Sequence, residues 1–322
     1  MKKIRSIPFG DRPGPEPYNA SEVLALADSR FLFCDNNVSD ALFEFRLKPD
    51  GALDGSILRR PIDGLQPGAI DDVEGLEVVG LGDRQFIFAT SSLCLKKRKK
   101  PHRKKSKRGK VDAAREAILR IAIGPGDLLR AEIIPDFRPW LIENVRALKK
   151  PAKYLPDDGG LNVEALSWDP REQALLFGLR TPVLQGRPVI IRVKPKKFDG
   201  PWTLDNLEML DPLALTVPED HGELGMRAMS LDQSTGVSLI TLGNPTSASK
   251  EPFRLYAWDG NPRGELLYYE SVRFHRKMKV EGVTRGTVGG RSAVVFVDDG
   301  GGYQLLWAND ARLTNPVTPS PL

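Results

Sequence analysis

Apolar residues along this chain come in short runs, most of them alternating with polar positions, and each run closes on a cluster of Gly, Pro, Asn, Asp or Ser. Runs of that kind read as β-strands bounded by turns. They also recur in a fixed order. A five-residue pattern of polar, Val, Glu, small and aliphatic residues occurs at Asp72–Leu76 (DVEGL), Asn162–Leu166 (NVEAL) and Lys279–Val283 (KVEGV). Two looser copies fit the same frame at Asn19–Val23 (NASEV) and Gly225–Met229 (GMRAM).

Each copy is followed by a second apolar run ending in polar or small residues: RFLFCDNN, QFIFATSS, ALLFGLRTP, VSLITLGNP and SAVVFVDDG. A third alternating run comes next (ALFEFRL, AILRIAI, PVIIRVK, FRLYAWD, YQLLWAN), and a fourth, looser one follows in the first four units (ILRRPI, LLRAEII, WTLDNLEML, ELLYYESV). Four strands per unit is the plan of a propeller blade. The pattern therefore predicts an all-β fold, a five-bladed β-propeller with six blades as the alternative count. The last unit lacks a fourth run, so Lys2–Phe9 (KKIRSIPF) is expected to pair as its missing strand and close the ring. One propeller domain over residues 1–313 then accounts for the length, with a tail at 314–322. Residues 136–160 read as an insertion carrying a short helix, with Pro139 at its start and Pro151 beyond its end.

Composition narrows the function classes. The 322 residues are 40% hydrophobic and 28% charged, and no apolar run is long enough for a membrane-spanning helix. Pro8, Gly10, Asp11 and Arg12 interrupt the basic start where a signal peptide would be apolar, so secretion by that route is not expected. Cys34 and Cys94 cannot build a disulfide framework or a Cys-based zinc site, and His102, His221 and His275 lack metal-ligand spacing. A reducing cytoplasm and a monomer are the default expectations. Charge is unevenly placed. Eleven of the 47 basic residues lie in Lys96–Lys110 (KKRKKPHRKKSKRGK), leaving 36 against 42 acidic residues, or −6, for the rest of the chain.

In a propeller the first strand of each blade lines the channel, so the repeated acidic position should converge as a ring of Ser21, Glu74, Glu164, Arg227 and Glu281. Glu74, Glu164 and Glu281 could hold a hard cation such as Ca²⁺ or supply acid/base chemistry. The alternative is a lock, in which each Glu accepts backbone N–H groups from the next blade and Arg227 neutralises the remainder. The polar ends of the second strands should form a ligand-binding mouth from Asp35, Asn36, Thr90, Ser91, Arg180, Asn244 and Asp298, together with Arg227. Lys96, Lys97, Arg98, Lys99, Lys100, Arg103, Lys104, Lys105, Lys107, Arg108 and Lys110 form a basic hairpin loop (residues 95–112) expected to overhang that mouth. Mutual repulsion should keep the loop unfolded until an anion neutralises it. Phosphate-rich partners fit such a loop: an anionic small molecule, a polyanion, or nucleic acid without sequence preference, since no aromatic residue interrupts the run.

The DVEGL and NVEAL starts, Gly178–Val183 (GLRTPV) with Gly186-Arg187 after it, and the Lys/Arg-rich segment resemble a bacterial family, domain of unknown function 3616. That family is similar to the esterase-like phytase propellers. The resemblance implies a propeller and permits a calcium-assisted phosphoester hydrolase, but carries no activity over. Ser21 and Arg227 depart from the repeated acid.

Overall fold

The computed structural model describes residues 3–10, 17–81, 84–97, 109–263, 265–313 and 316. Strands dominate. After β1 (Ile7–Pro8), the first antiparallel meander is β2 (Ala20–Ala27), β3 (Arg30–Asp35), β4 (Val38–Arg46) and β5 (Leu58–Asp63). The second is β6 (Val73–Leu81), β7 (Arg84–Ser91), β8 (Ile118–Ile123) and β9 (Leu129–Ile134), and the third is β10 (Asn162–Asp169), β11 (Ala174–Leu184), β12 (Arg187–Pro195) and β13 (Leu207–Ala214). The fourth is β14 (Gly225–Asp232), β15 (Val237–Gly243), β16 (Arg254–Trp258) and β17 (Leu267–Tyr268); the fifth is β18 (Val280–Val288), β19 (Arg291–Asp298) and β20 (Gly302–Trp307). The first strands of successive meanders are neighbours around a central axis, in the cyclic order β2, β6, β10, β14, β18 and back to β2. The architecture is all-β and propeller-like.

Alternation dictates where the core lies. Each meander has two apolar faces, so its side chains fill the space toward both neighbours rather than one central core. Five apolar clusters result, each shared by adjacent meanders; Leu32, Leu42, Leu76 and Ile87 belong to the one between the first and second. Inner strands approach this closely where the fourth position of the repeat is small, as it is in four of the five copies. A Cβ on Gly75 would stand 2.7 Å from Leu166 Cβ, and one on Gly282 would stand 2.6 Å from the Ser21 carbonyl.

Two features differ from the pattern-based expectation. The outer strands of the first two meanders pair with each other in parallel (Ile62 with Leu129, Asp63 with Arg130), merging them into one eight-stranded sheet. The contact covers two edges that would otherwise be open, and nothing in a local apolar pattern encodes it. The N-terminal segment is also used twice. Ile7 and Pro8 pair with Tyr303 and Gly302 on β20, while Ile4 forms a parallel bridge with Phe274 beside the fourth and fifth meanders.

In the insertion, helix α1 covers Phe137–Asn144 and places Pro139 at its third position, not at its start. The first turn of a helix has no intrahelical acceptor for its N–H groups, so proline is tolerated there. Short 3₁₀ turns at Arg146–Leu148, Pro151–Lys153 and Pro156–Asp158 complete the insertion.

Candidate functional site

A β-bulge builds the site. On β6 the register jumps from Val73 opposite Ser91 to Gly75 opposite Thr90, leaving Glu74 as the extra residue. The same jump isolates Glu164 on β10, Arg227 on β14 and Glu281 on β18. On β2, Ser21 and Glu22 together oppose Cys34 between the Ala20 and Val23 pairs. A bulge bends its strand and re-aims the extra side chain; here it delivers Glu74, Glu164, Arg227 and Glu281 to one end of the channel, where all four line a cavity of about 640 Å³.

Arg227 organises the floor. Its Nη1 is 2.8 Å from Glu164 Oε2, and its Nη2 donates to Glu281 Oε1. Glu164 Oε1 also accepts from Arg180 Nη1 and Asn162 Nδ2, both at 2.7 Å. Burial works against the charge on Arg227, but Glu164 and Glu281 hold its pKa above the ordinary range. Glu74 has no cation partner among the described residues. Its oxygens meet Ser21 Oγ at 3.0 Å and Asn36 Nδ2 at 2.9 Å, and Ser21 Oγ also donates to Asn36 Oδ1. One hydroxyl proton cannot serve two acceptors. A proton on Glu74 resolves the conflict: Glu74 donates to Ser21, and Ser21 donates to Asn36. Burial, followed by the negative charges of Asp72, Glu164 and Glu281, pushes the Glu74 pKa well above the usual carboxylate range.

Arg227 stands where the hard-cation expectation for Glu74, Glu164 and Glu281 would put an ion. A divalent ion bridging them would lie against a guanidinium bonded to two of them, so the donor set does not fit. Among the described residues, no group of three or more His, Cys, Asp or Glu side chains could hold a metal ion.

The carboxylates that do lock strands together escaped the sequence pattern. Glu22, which replaces the small residue of the other four copies, accepts backbone N–H groups from Val23, Met229 and Val283, joining three inner strands across the axis. Glu77, three residues beyond Glu74, accepts from Val78, Leu231 and Ser167 Oγ. Burial raises both, Glu77 to about 7, and Glu281 likewise rises to about 8. The resulting pH dependence has a definite sign. A carboxyl whose folded pKa lies above its unfolded value stabilises the fold fully below about 4.5, and that contribution is lost as pH rises through the folded pKa. His221, lowered first by burial, opposes this below about 6.5. Thermal melts from pH 5 to 8 should therefore show stability falling with pH. Glu77→Gln should remove a share of the slope on the order of 3 kcal/mol; a variant with the wild-type slope would refute the assignment.

Of the residues expected at the mouth, the cavity brings together Asn36, Arg180, Arg227 and Asn244. Four others are not in its lining. Asp35 is fully buried and accepts from the Asn19 and Asn37 backbone, Thr90 bonds the Ser91 carbonyl, and Ser91 bonds the Ala117 carbonyl. Asp298 caps the Gly300 N–H, while its neighbour Asp299 lines the cavity and pairs with Lys279 at 2.7 Å. The cavity adds Lys3, Lys250 and Arg276 at the rim with Phe274 and Met278, which no repeat signalled, and Phe253 from the start of a third run. Among the described residues, Lys3, Lys250 and Arg276 make no ion pair.

The basic loop is anchored at its base. Lys96 and Lys110 exchange backbone hydrogen bonds, and Lys96 Nζ lies 3.1 Å from both Asp71 and Asp112. Lys97 Nζ is 3.5 Å from Asp157, whose other oxygen accepts the N–H of Ser247 in the cavity lining. The loop base thus joins the mouth through one carboxylate. Residues 98–108, from Arg98 to Arg108, lie outside the described residues, as does the tail from 317 to 322.

Four-stranded antiparallel meanders around a polar channel define a propeller-like protein. The chain resembles the crystal structure of an exo-β-1,3-galactanase from Phanerochaete chrysosporium (TM-score 0.50, 10% identity), covering 98% of this chain but only 66% of that one. It is also similar to an endo-arabinase from Bacteroides thetaiotaomicron (TM-score 0.47, 12% identity, 99% and 98% covered). At such identities the first likeness concerns the fold alone, and the second is too distant to carry an argument. No curated protein matches the chain in sequence. The chain belongs to the family described as protein of unknown function DUF3616, whose profile matches residues 143–310. The DVEGL copy lies outside that matched segment. No helix is long and apolar enough to cross a membrane.

Proposed function

We propose that this protein is a ligand-binding propeller, five-bladed over residues 1–313 and closed by its N-terminal strand, that takes an anionic, phosphate-containing molecule at the mouth described above. The carrying observation is the rim of Lys3, Lys250 and Arg276, which have no ion-pair partners among the described residues and stand around a cavity whose deeper cations, Arg180 and Arg227, are already paired. Unpaired cations over a low-dielectric cavity draw anions by the field they create. The calcium-dependent phosphoesterase reading gains no support, because Arg227 occupies the place between Glu164 and Glu281.

Thermal melting with pyrophosphate or calcium tests this reading. Pyrophosphate should raise the melting temperature, since a ligand that binds only the native state stabilises it. The double variant Lys250→Glu/Arg276→Glu should lose the shift, and calcium alone should give none. A calcium shift that disappears in Glu164→Gln would overturn the reading in favour of the metal-dependent enzyme.

The basic loop is proposed to add non-specific affinity for nucleic acid or other polyanions. Deleting residues 98–108 should leave folding intact, whereas removing Lys96 and Lys110 would break their backbone pair. Nucleic-acid binding should vanish with the deletion and, in the intact protein, fall steeply with salt. Binding that survives the deletion would move the polyanion site to the mouth.

A further inference from the structure

We infer that the ligand of the mouth is a polyhydroxylated organic anion, a sugar phosphate or a sugar carboxylate, bound with its charge at the rim and its hydroxyl groups on the floor. The inference rests on the anion-binding reading above and sharpens it, because the cavity is chemically divided by depth. Its unpaired cations are all at Lys3, Lys250 and Arg276, whereas the floor is rich in acceptors. Glu281 spends Oε1 on Arg227, leaving its second oxygen without a partner among the described residues. Asn244 Oδ1, in the lining, is buried with no hydrogen-bond partner. A buried acceptor without a donor is costly, and a ligand donor that reaches it recovers that cost.

A bare phosphate or pyrophosphate cannot use this floor. At neutral pH it offers few P–OH donors against many acceptor oxygens, and the Glu164 carboxylate would repel its charge. Hydroxyl groups can both donate to carboxylates and amides and accept from a donor. Arg227 Nε, buried and unbonded, is the floor's complementary donor. The walls suit the carbon skeleton of such a ligand. Phe253, Phe274 and Met278 line the cavity beside the polar groups, and Phe253 already carries the Arg227 guanidinium over its ring at 5.5 Å. A volume of about 640 Å³ holds a sugar with its charged substituent, far more than an inorganic ion needs.

The test compares glucose 6-phosphate, glucuronate, pyrophosphate and glucose by calorimetric titration of wild type, Asn244→Leu and Lys250→Glu. Asn244→Leu removes the floor acceptor but keeps the backbone carbonyl that holds Arg180 at 3.2 Å. Glucose 6-phosphate or glucuronate should bind wild type about 10-fold or more tighter than pyrophosphate or glucose, and whichever leads identifies the source of the charge. In Asn244→Leu the advantage over pyrophosphate should collapse, while Lys250→Glu should weaken every anion. Pyrophosphate binding as tightly as the sugar anions would overturn the inference and leave the anion reading standing. Glucose binding as tightly as glucose 6-phosphate, or no binding by any of the four, would overturn both. The wild-type comparison alone decides between these outcomes if a variant fails to fold.

Discussion

Replacing Arg227 with methionine should cost about 3–5 kcal/mol of folding stability at neutral pH, the range for removing one partner of a buried ion pair. The guanidinium is 5% exposed and serves Glu164 and Glu281 together. Without it, Glu164 and Glu281 stay buried beside Glu74 with only Arg180, among the described residues, for compensation. The deficit should shrink as pH falls toward 5, because protonation supplies the neutrality that Arg227 provided. Adding Glu281→Gln to the variant should recover part of the loss, so the two changes together should cost less than their sum. Urea denaturation of wild type, the two single variants and the double variant at pH 5 and 8 measures these quantities. A cost below about 1 kcal/mol at pH 8, the level of an exposed ion pair, would mean that the floor is solvated and Arg227 is not its keystone.

Deleting Met1–Phe9 should have the second large effect: loss of cooperative unfolding and a strong tendency to aggregate. Phe9 packs against Phe33 at 4.9 Å, Phe45 at 5.1 Å and Tyr303 at 5.4 Å, joining aromatic residues of the first meander to the last. Phe9→Ala alone should cost about 3 kcal/mol. The deletion also uncovers the edge of β20 and breaks the bonds between Ile4 and the backbone of Arg273 and His275, each 2.8 Å long. A bare edge strand is a template for pairing with other chains. Because Lys3 lines the mouth, Lys3→Ala should weaken anion binding while leaving closure intact. A truncated protein with wild-type melting behaviour would show that the first and last meanders hold together without the terminal strand.

Strand identity was largely legible in the sequence, since each inner, second and third run appears as a strand within a few residues of its expected place. The fourth runs were less so. WTLDNLEML becomes a strand only from Leu207, after a 3₁₀ turn at Leu204–Asn206, and ELLYYESV yields only Leu267–Tyr268. Outer strands pack against little beyond one neighbour, so tertiary contacts decide how much of them is recruited.

What the sequence determined by itself is what depends on a residue and its near neighbours. Period-two alternation set the strands, small residues at Gly75, Ala165, Ala228 and Gly282 allowed inner strands to touch, and the repeat delivered Glu74, Glu164, Arg227 and Glu281 to equivalent positions. Only the tertiary structure decided what those positions do. The bulge that turns Glu74 toward the mouth arises from pairing with β7, and Arg227 converts two carboxylates from cation ligands into its own partners because β14 lies between β10 and β18. Glu22 and Glu77 read as ordinary polar residues in their strands, yet their carboxylates accept backbone bonds from strands more than 150 positions away in sequence. Lys3, Lys250 and Arg276 belong to no repeat and meet at one rim only when the ring closes. Alternation and turn chemistry are local and survive in the unfolded chain, whereas burial of charge and the sharing of hydrogen bonds across an axis exist only once distant strands have been brought together.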